Sequence, residues 1–263
     1  MRKLIFILGI FAFIASSCKQ TATAQIETLD VVEETNHDVI EEEDSDFLLE
    51  KILKQLHISA KERELELITQ KELPYMKGNS VFVIPKIVNG DEYDVEIFDV
   101  YVLIVENETG KIIRNFYEKE GLVSDAVHLE NIEIDTAPYR LNSETRAFGV
   151  RVNYRGSSRS NPYSSEEISL FIPRGDSSLA RVLKDYKIAG FGGEWDTNCE
   201  GAFTETKSVL IMSNQQTCGF YNIEVKSTIT DTVNELTEEN DCDYEETVEY
   251  DSQILRYIDG EYK

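Results

Sequence analysis

The sequence predicts a mainly β chain: an antiparallel β-sandwich or barrel-like domain with one N-terminal helix and one short internal helix. Three observations predict it. From Asn79 onward apolar residues alternate with period two in a series of short runs. Turn residues separate the runs, as in Asn107-Glu108-Thr109-Gly110, where Gly takes the left-handed position. Only two stretches carry helical spacing instead. About ten strands punctuated this way favour antiparallel packing over an α/β arrangement.

The globular region is read as residues 47–263. Its first element is a helix, Asp46–Leu56, with Leu48, Leu49, Ile52, Leu53 and Leu56 at helical spacing and Asp46 as N-cap. That stripe suits a helix covering an edge or end of the domain. Ser80–Ile87 is the first strand, and Pro85 marks an edge or a bulge in it. Val95–Glu106 and Lys111–Tyr117 flank the Gly110 turn. Val127–Ile134, Ala147–Tyr154 and Ile168–Ile172 continue the series. Ser177–Tyr186 interrupts it: Leu179, Val182, Leu183 and Tyr186 suit a short helix capped by Ser177, and a sub-boundary falls near 173–190. Gly190-Phe191-Gly192-Gly193 reads as a turn. Strands resume at Gly193–Asp196, Lys207–Met212, Gly219–Thr230 and Tyr244–Tyr257.

The N-terminus carries a different signal. Arg2 and Lys3 precede an apolar run, Leu4–Ile14, and then small residues, Ala15-Ser16-Ser17-Cys18. Charged head, short apolar middle and small residues make a secretory signal peptide over 1–17. Its apolar run is half the length a spanning helix needs, about 20 residues. A cysteine directly after the small residues resembles the lipobox of bacterial lipoproteins. The resemblance implies that Cys18 is lipidated and anchors the chain to a membrane. Residues 18–46 follow as an acidic flexible tether; from Glu27 to Glu50 there are eleven acids and no Lys or Arg, and like charges extend a chain with little to bury. Surface lipoproteins of Bacteroidota often place acids directly after the cysteine. Here Lys19-Gln20-Thr21 stands there and the first acid is Glu27, which points to the outer membrane and its periplasmic face. The region after residue 79 is similar to β-rich envelope proteins of bacteria, a resemblance that implies location and no activity.

Charge narrows the partners. Cleavage after residue 17 removes Arg2 and Lys3 and takes the net charge from -24 to -26. Nucleic-acid binding needs the opposite sign, because Lys and Arg must displace counterions. The same charge opposes lying flat on an anionic lipid surface, so attachment falls to the lipid anchor.

Cys199, Cys218 and Cys242 remain after lipidation, in a compartment that permits a disulfide. The strand reading chooses among the three pairings. Lys207–Met212 runs up and Gly219–Thr230 runs back, so Cys199 and Cys242 meet at one end while Cys218 lies at the other. Ten residues of strand separate the ends by about 30 Å, far beyond the reach of a disulfide at about 7 Å. Cys199–Cys242 is the expected pair.

No catalytic constellation stands out. His37, His57 and His128 are scattered and no His-Glu-x-x-His run occurs, so no metal site or cofactor is implied. Glu194 and Asp196 beside Trp195 resemble carboxylates on an aromatic sugar platform, yet two apart on a strand they share a face, and a buried Trp between exposed acids is the preferred reading. One region departs from the overall charge. Seven of the eleven Arg lie between 140 and 181, with four acids. On Ala147–Tyr154 the residues Phe148, Val150, Val152 and Tyr154 share one face, and Arg151, Asn153 and Arg155 share the other. With Arg159 on the following loop they form a candidate site for an anionic group. Charge balancing by pairing with acids is the alternative. The reading that follows is a lipid-anchored envelope binding protein for a partner protein, a glycan or an envelope component. Its alternatives are an inhibitor or accessory subunit of an envelope enzyme, for which Asp231–Asp251 offers ten acids and no base, and a carboxylate-dependent hydrolase.

Overall fold

The structure, a computed structural model, describes residues 37–90 and 95–263, with side chains for 47–88 and 95–263. The signal sequence 1–17, Cys18 and the tether as far as residue 36 lie outside the described residues. Among the described residues no helix is long and apolar enough to cross a membrane.

The chain is mainly β, as its alternation predicts. Among the described residues, helix α1 (His37–Leu56) and a single 3-10 turn at Leu65–Leu67 are followed by thirteen strands. The first eight are β1 (Thr69–Glu72), β2 (Asn79–Gly90), β3 (Glu96–Glu106), β4 (Ile112–Ser124), β5 (Val127–Arg140), β6 (Arg146–Gly156), β7 (Tyr163–Arg174) and β8 (Ser178–Trp195). They form one sheet in the order β1-β2-β3-β4-β8-β7-β6-β5. Every neighbour pairs antiparallel except β4 and β8, which meet at one parallel bridge, Asn115–Ser178. The sheet curls until its ends approach, where Lys71 Nζ on β1 donates to the Ile134 carbonyl on β5 at 3.1 Å. The result is a nearly closed barrel.

Burial follows the sequence pattern. Val81, Val83, Phe98, Val102, Ile104, Phe148, Val150 and Phe171 fill the barrel interior. On β2 and β3 the alternate residues Phe82, Ile84, Leu103 and Val105 face outward and are covered by Leu48, Ile52 and Leu53 of α1. Both faces of these two strands are therefore dry, which is why they read as continuous apolar runs. The Asn107–Gly110 turn tucks under the helix. Gly110 has φ +72°, and a Cβ there would press on Lys51 and Leu48. Gln55 Nε2 donates to its carbonyl at 2.7 Å. Pro85 sits where β1 has already ended, so its missing N–H breaks no β1–β2 bond.

Four details differ from the expected elements. The helix begins at His37, so Asp46 lies inside it and is not its cap. It covers the outer face of β2–β3, not a domain edge or end. The expected helix at Ser177–Tyr186 is the first half of strand β8. Leu179 enters the barrel interior, whereas Val182, Leu183 and Ile188 enter a second core on the other face. Bulges in the β7–β8 ladder, with Asp185 at φ +42°, break the parity of the strand and imitate helical spacing. Gly190–Gly193 is likewise strand, not turn. A Cβ on Gly193 would collide with the Ala202 carbonyl and the Phe203 ring of the next strand.

That next strand opens a ribbon that extends the sheet. β9 (Gly201–Thr217) pairs with the far half of β8, β10 (Phe220–Leu236) pairs with β9, and β11 (Cys242–Leu255) pairs with β10. The base of the ribbon buries Ile223, Val225 and Leu255 in the second core with Ile168, Leu170 and Val182. The short hairpin β12 (Tyr257–Ile258) and β13 (Glu261–Tyr262) seals that core, and Tyr262 Oη donates to the Tyr221 carbonyl at 2.7 Å. Cys199 and Cys242 are disulfide-bonded with Cα atoms 5.7 Å apart, while Cys218 is exposed and free in the β9–β10 turn. The three cysteines thus lie where the up-and-back strand order puts them, Cys199 with Cys242 and Cys218 apart.

Candidate functional site

The arginine-rich strand is β6. Its geometry matches the expectation: Val150 is buried in the barrel interior with Val152 and Tyr154 packed against that core, and Arg151, Asn153 and Arg155 face the other way. Its electrostatics do not. Arg151 donates Nε and Nη2 to Asp135 Oδ2 at 3.0 and 2.6 Å, and Nη1 to Glu166 Oε1 at 2.6 Å. Asp135 also accepts from Tyr139 Oη and the Ala137 N–H. Burial alone would raise the Asp135 carboxyl, but these hydrogen bonds outweigh it and hold it below its usual value. Arg155 pairs with Glu130 at 2.7 Å. Asn153 donates to Asn131 at 2.7 Å. Arg159 is exposed and has no ion partner among the described residues, but it stands apart from any cluster. Of the anion site expected at Arg151, Asn153, Arg155 and Arg159, the two strand arginines are therefore spent on carboxylates and Asn153 on Asn131, and Arg159 alone is left without an ion partner among the described residues. The reason is topological. Counting acids between 140 and 181 omitted β5, which ends at Arg140, and antiparallel pairing returns its Glu130 and Asp135 to the arginines.

Two concavities lie along this outer face. One, of about 230 Å³, is lined by Asn153, Arg155, Glu166, Phe191, Glu205 and Lys207 among others. Its charges are largely matched within the wall, as in Glu205–Lys207 at 2.7 Å. The other is an open depression of about 540 Å³ around Trp195, with Glu194, Asp196 and Glu200. Trp195 is half-buried there, more exposed than the expected buried Trp. Asp196 is occupied locally, because its Oδ1 accepts the N–H groups of Asn198 and Cys199 at 2.8 and 2.9 Å. Glu167 is the carboxyl whose value burial raises, with Asp185 adding to the effect and Lys187 opposing it. It lines neither depression. Among the described residues no three His, Cys, Asp or Glu side chains group as metal ligands.

The ribbon β9–β10–β11 presents the most open chemistry. Along β11 every residue from Cys242 to Ile254 is exposed. The even positions carry Tyr244, Val248, Tyr250 and Ile254, with Glu246 and Ser252 between them, and Tyr250 is 82% exposed. The odd positions carry Asp243, Glu245, Glu249 and Asp251. Strand period two thus sorts the strand into a row that is apolar apart from Glu246 and Ser252 and a row that is acidic apart from Thr247 and Gln253, and neither row is covered. The disulfide ties the start of β11 to the β8–β9 loop and holds the acidic tip, Glu238, Glu239 and Asp241, at the end of the ribbon. Sequence reasoning noted the acids of 231–251 but not the open strand. The available signal was Val248-Glu249-Tyr250-Asp251, where apolar residues alternate with acids although the strand has no core to face. No protein-family model, curated protein or solved structure matches this chain.

Proposed function

We propose that this chain is a lipid-anchored binding protein of the bacterial cell envelope, held at the periplasmic face of the outer membrane through Cys18, with its β domain engaging a partner macromolecule. The observation that carries the binding reading is the uncovered row Tyr244, Val248, Tyr250 and Ile254 on β11. Large apolar side chains aligned on a solvent-facing strand mark interaction surfaces in soluble domains. The lipobox-like Ala15-Ser16-Ser17-Cys18 supports the anchor, and Lys19-Gln20-Thr21 supports the periplasmic face.

Two measurements test it. Cys18→Ser should move the protein from the membrane fraction to the soluble one and abolish fatty-acid labelling; labelling that persists refutes the anchor. A photo-crosslinking residue at position 250 should give one discrete adduct in intact envelopes, and the same residue at Glu133 should give none. Equal adducts at both positions refute the binding reading. A second reading, an inhibitor or accessory subunit of an envelope enzyme, is favoured by the acidic ribbon tip that the Cys199–Cys242 bond holds in place. A projecting acidic element suits a basic active-site cleft.

A further inference from the structure

We infer that the free edge of β11 is a strand-addition site for an extended partner segment in which basic and apolar residues alternate. This inference rests on the binding reading and names the surface and the chemistry of its partner.

The edge is open. β11 pairs with β10 on one side, and among the described residues no strand pairs with the other. It is also long and regular. All 14 residues are in register with β10, from Leu236–Cys242 to Ile223–Leu255, without a bulge. At about 3.4 Å per residue this is an edge of roughly 47 Å. Edge strands are usually short, bulged or interrupted by Pro or Lys. β11 contains neither Pro nor Lys nor Gly.

The backbone groups that face outward can be assigned. At the ribbon tip the Thr237 N–H donates to the Asp241 carbonyl at 2.8 Å. Hydrogen-bonded pairs alternate along an antiparallel ladder, so the odd residues of β11 bond to β10. The even residues, Tyr244 to Ile254, turn their N–H and C=O groups to the open side. Tyr244 shows this directly, because its N–H bonds to the side chain of Asp243 at 2.9 Å instead of to β10. The outward backbone groups and the apolar row therefore belong to the same residues.

Charge selects the occupant. An added strand places its side chains directly opposite those of β11, on the same two faces. Opposite Asp243, Glu245, Glu249 and Asp251 it needs Lys or Arg, opposite Tyr244, Val248, Tyr250 and Ile254 it needs apolar residues, and Glu246 within the apolar row adds one more place for a basic residue. A second copy of β11 would set acid against acid. The chain's own 27–50 segment, with eleven acids and no Lys or Arg, carries the same sign. A hollow of about 160 Å³ at the tip, lined by Val233, Leu236 and Tyr244 with Glu235, Asp243 and Glu245, suits the apolar stem and charged head of one basic side chain.

The test uses the full chain and a labelled peptide of about ten residues alternating lysine and valine, with binding followed by fluorescence anisotropy. Controls are an isomer with its lysines and valines in two blocks and an alternating glutamate–valine peptide. The alternating basic peptide should bind and both controls should fail. Glu245→Lys with Glu249→Lys should weaken binding about tenfold. Val248→Pro removes an outward N–H and no β10–β11 bond, so it should abolish binding while the melting curve stays cooperative. Val248→Thr should retain binding. Equal affinity for the blocked isomer, or binding unchanged by Val248→Pro, overturns the inference. So does a dimer in sedimentation that Val248→Pro dissolves, because a second copy would then own the edge. Crosslinking at position 250 that survives Val248→Pro also overturns strand addition, yet leaves the binding reading standing.

Discussion

Within the sheet the thinnest joint between neighbouring strands is the seam between β4 and β8, and one ion pair compensates for it. The other neighbours in the order from β1 to β5 share ladders of several residues, whereas here the backbone contributes the Asn115–Ser178 bridge. Beside it Arg181 grips Glu118 with two hydrogen bonds of 2.6 and 2.7 Å. The guanidinium also lies 5.2 Å from the Phe116 ring centroid, and Phe116 packs edge-on against Phe171. The two charged side chains are only 14% and 24% exposed. Arg181→Met keeps the stem and removes both hydrogen bonds, leaving Glu118 with Lys184 at 3.4 Å. Exposed pairs contribute at most about 1 kcal/mol, and breaking a fully buried one costs about 3–5 kcal/mol. At this intermediate burial the expected loss is about 2 kcal/mol, or about 4–8 °C in Tm for a domain of this size. A double-mutant cycle with Glu118→Gln, read by thermal unfolding, should give a coupling of about 1.5 kcal/mol at neutral pH. The hydrogen bonds from Arg181, against the opposing effect of burial, hold the Glu118 carboxyl below its ordinary 4.5. A carboxyl lowered in the folded state contributes fully above its unfolded value, and that contribution is lost as pH falls through the folded one. The coupling should therefore be constant down to about pH 5 and vanish in stronger acid. A neutral-pH coupling under about 0.5 kcal/mol, or one indifferent to acid, would refute the seam argument.

Two further stability predictions follow from pairings already described. Arg151→Ala leaves Asp135 and Glu166 without their shared cation and should cost about 2 kcal/mol by urea unfolding, whereas Arg155→Ala on the exposed Glu130 pair should stay within about 0.5 kcal/mol. Equal costs would mean that burial does not distinguish the two. Replacing Cys199 and Cys242 by Ser opens a loop of sequence separation 43 and should remove up to about 4 kcal/mol. In native protein only Cys218 should react with iodoacetamide, and labelling of Cys199 before unfolding would contradict the bond.

What could be read from the sequence depended on whether a residue's surroundings are set by near neighbours. Strands β2 and β3 were legible because short apolar runs and the Gly110 turn after β3 are local facts. The disulfide was legible because it needed only the direction of two successive strands. Strand β8 was not, because its apolar residues serve two cores on opposite faces and its bulges scramble the parity. Spacing that mixes two faces with inserted residues cannot be told from helical spacing without the partner strand. The arginine patch failed for a related reason. Arg151 is neutralised by Asp135 across a hairpin and by Glu166 near the far end of another, and a count within one window misses the first of these.

The sequence signals that β11 has no core to face, but that it ends the sheet is a property of the sheet order. Topology also gives its acids a meaning that composition could not. A long regular edge with Tyr250 and Val248 beside open backbone groups is a template for uncontrolled pairing between copies of the chain. Lys would protect such an edge against itself as well as acids do, and so would a Pro. The two solutions differ in what they admit. Pro closes the edge to every strand, whereas a row of acids repels other acidic strands and leaves the backbone available to a basic one. With Asp243, Glu245, Glu249 and Asp251 on one face and the ribbon held by the Cys199–Cys242 bond, β11 excludes its own copies and remains able to pair. Protection against self-association and selection of a basic partner are then one arrangement of charge, and Val248→Pro separates them: it keeps the first and removes the second.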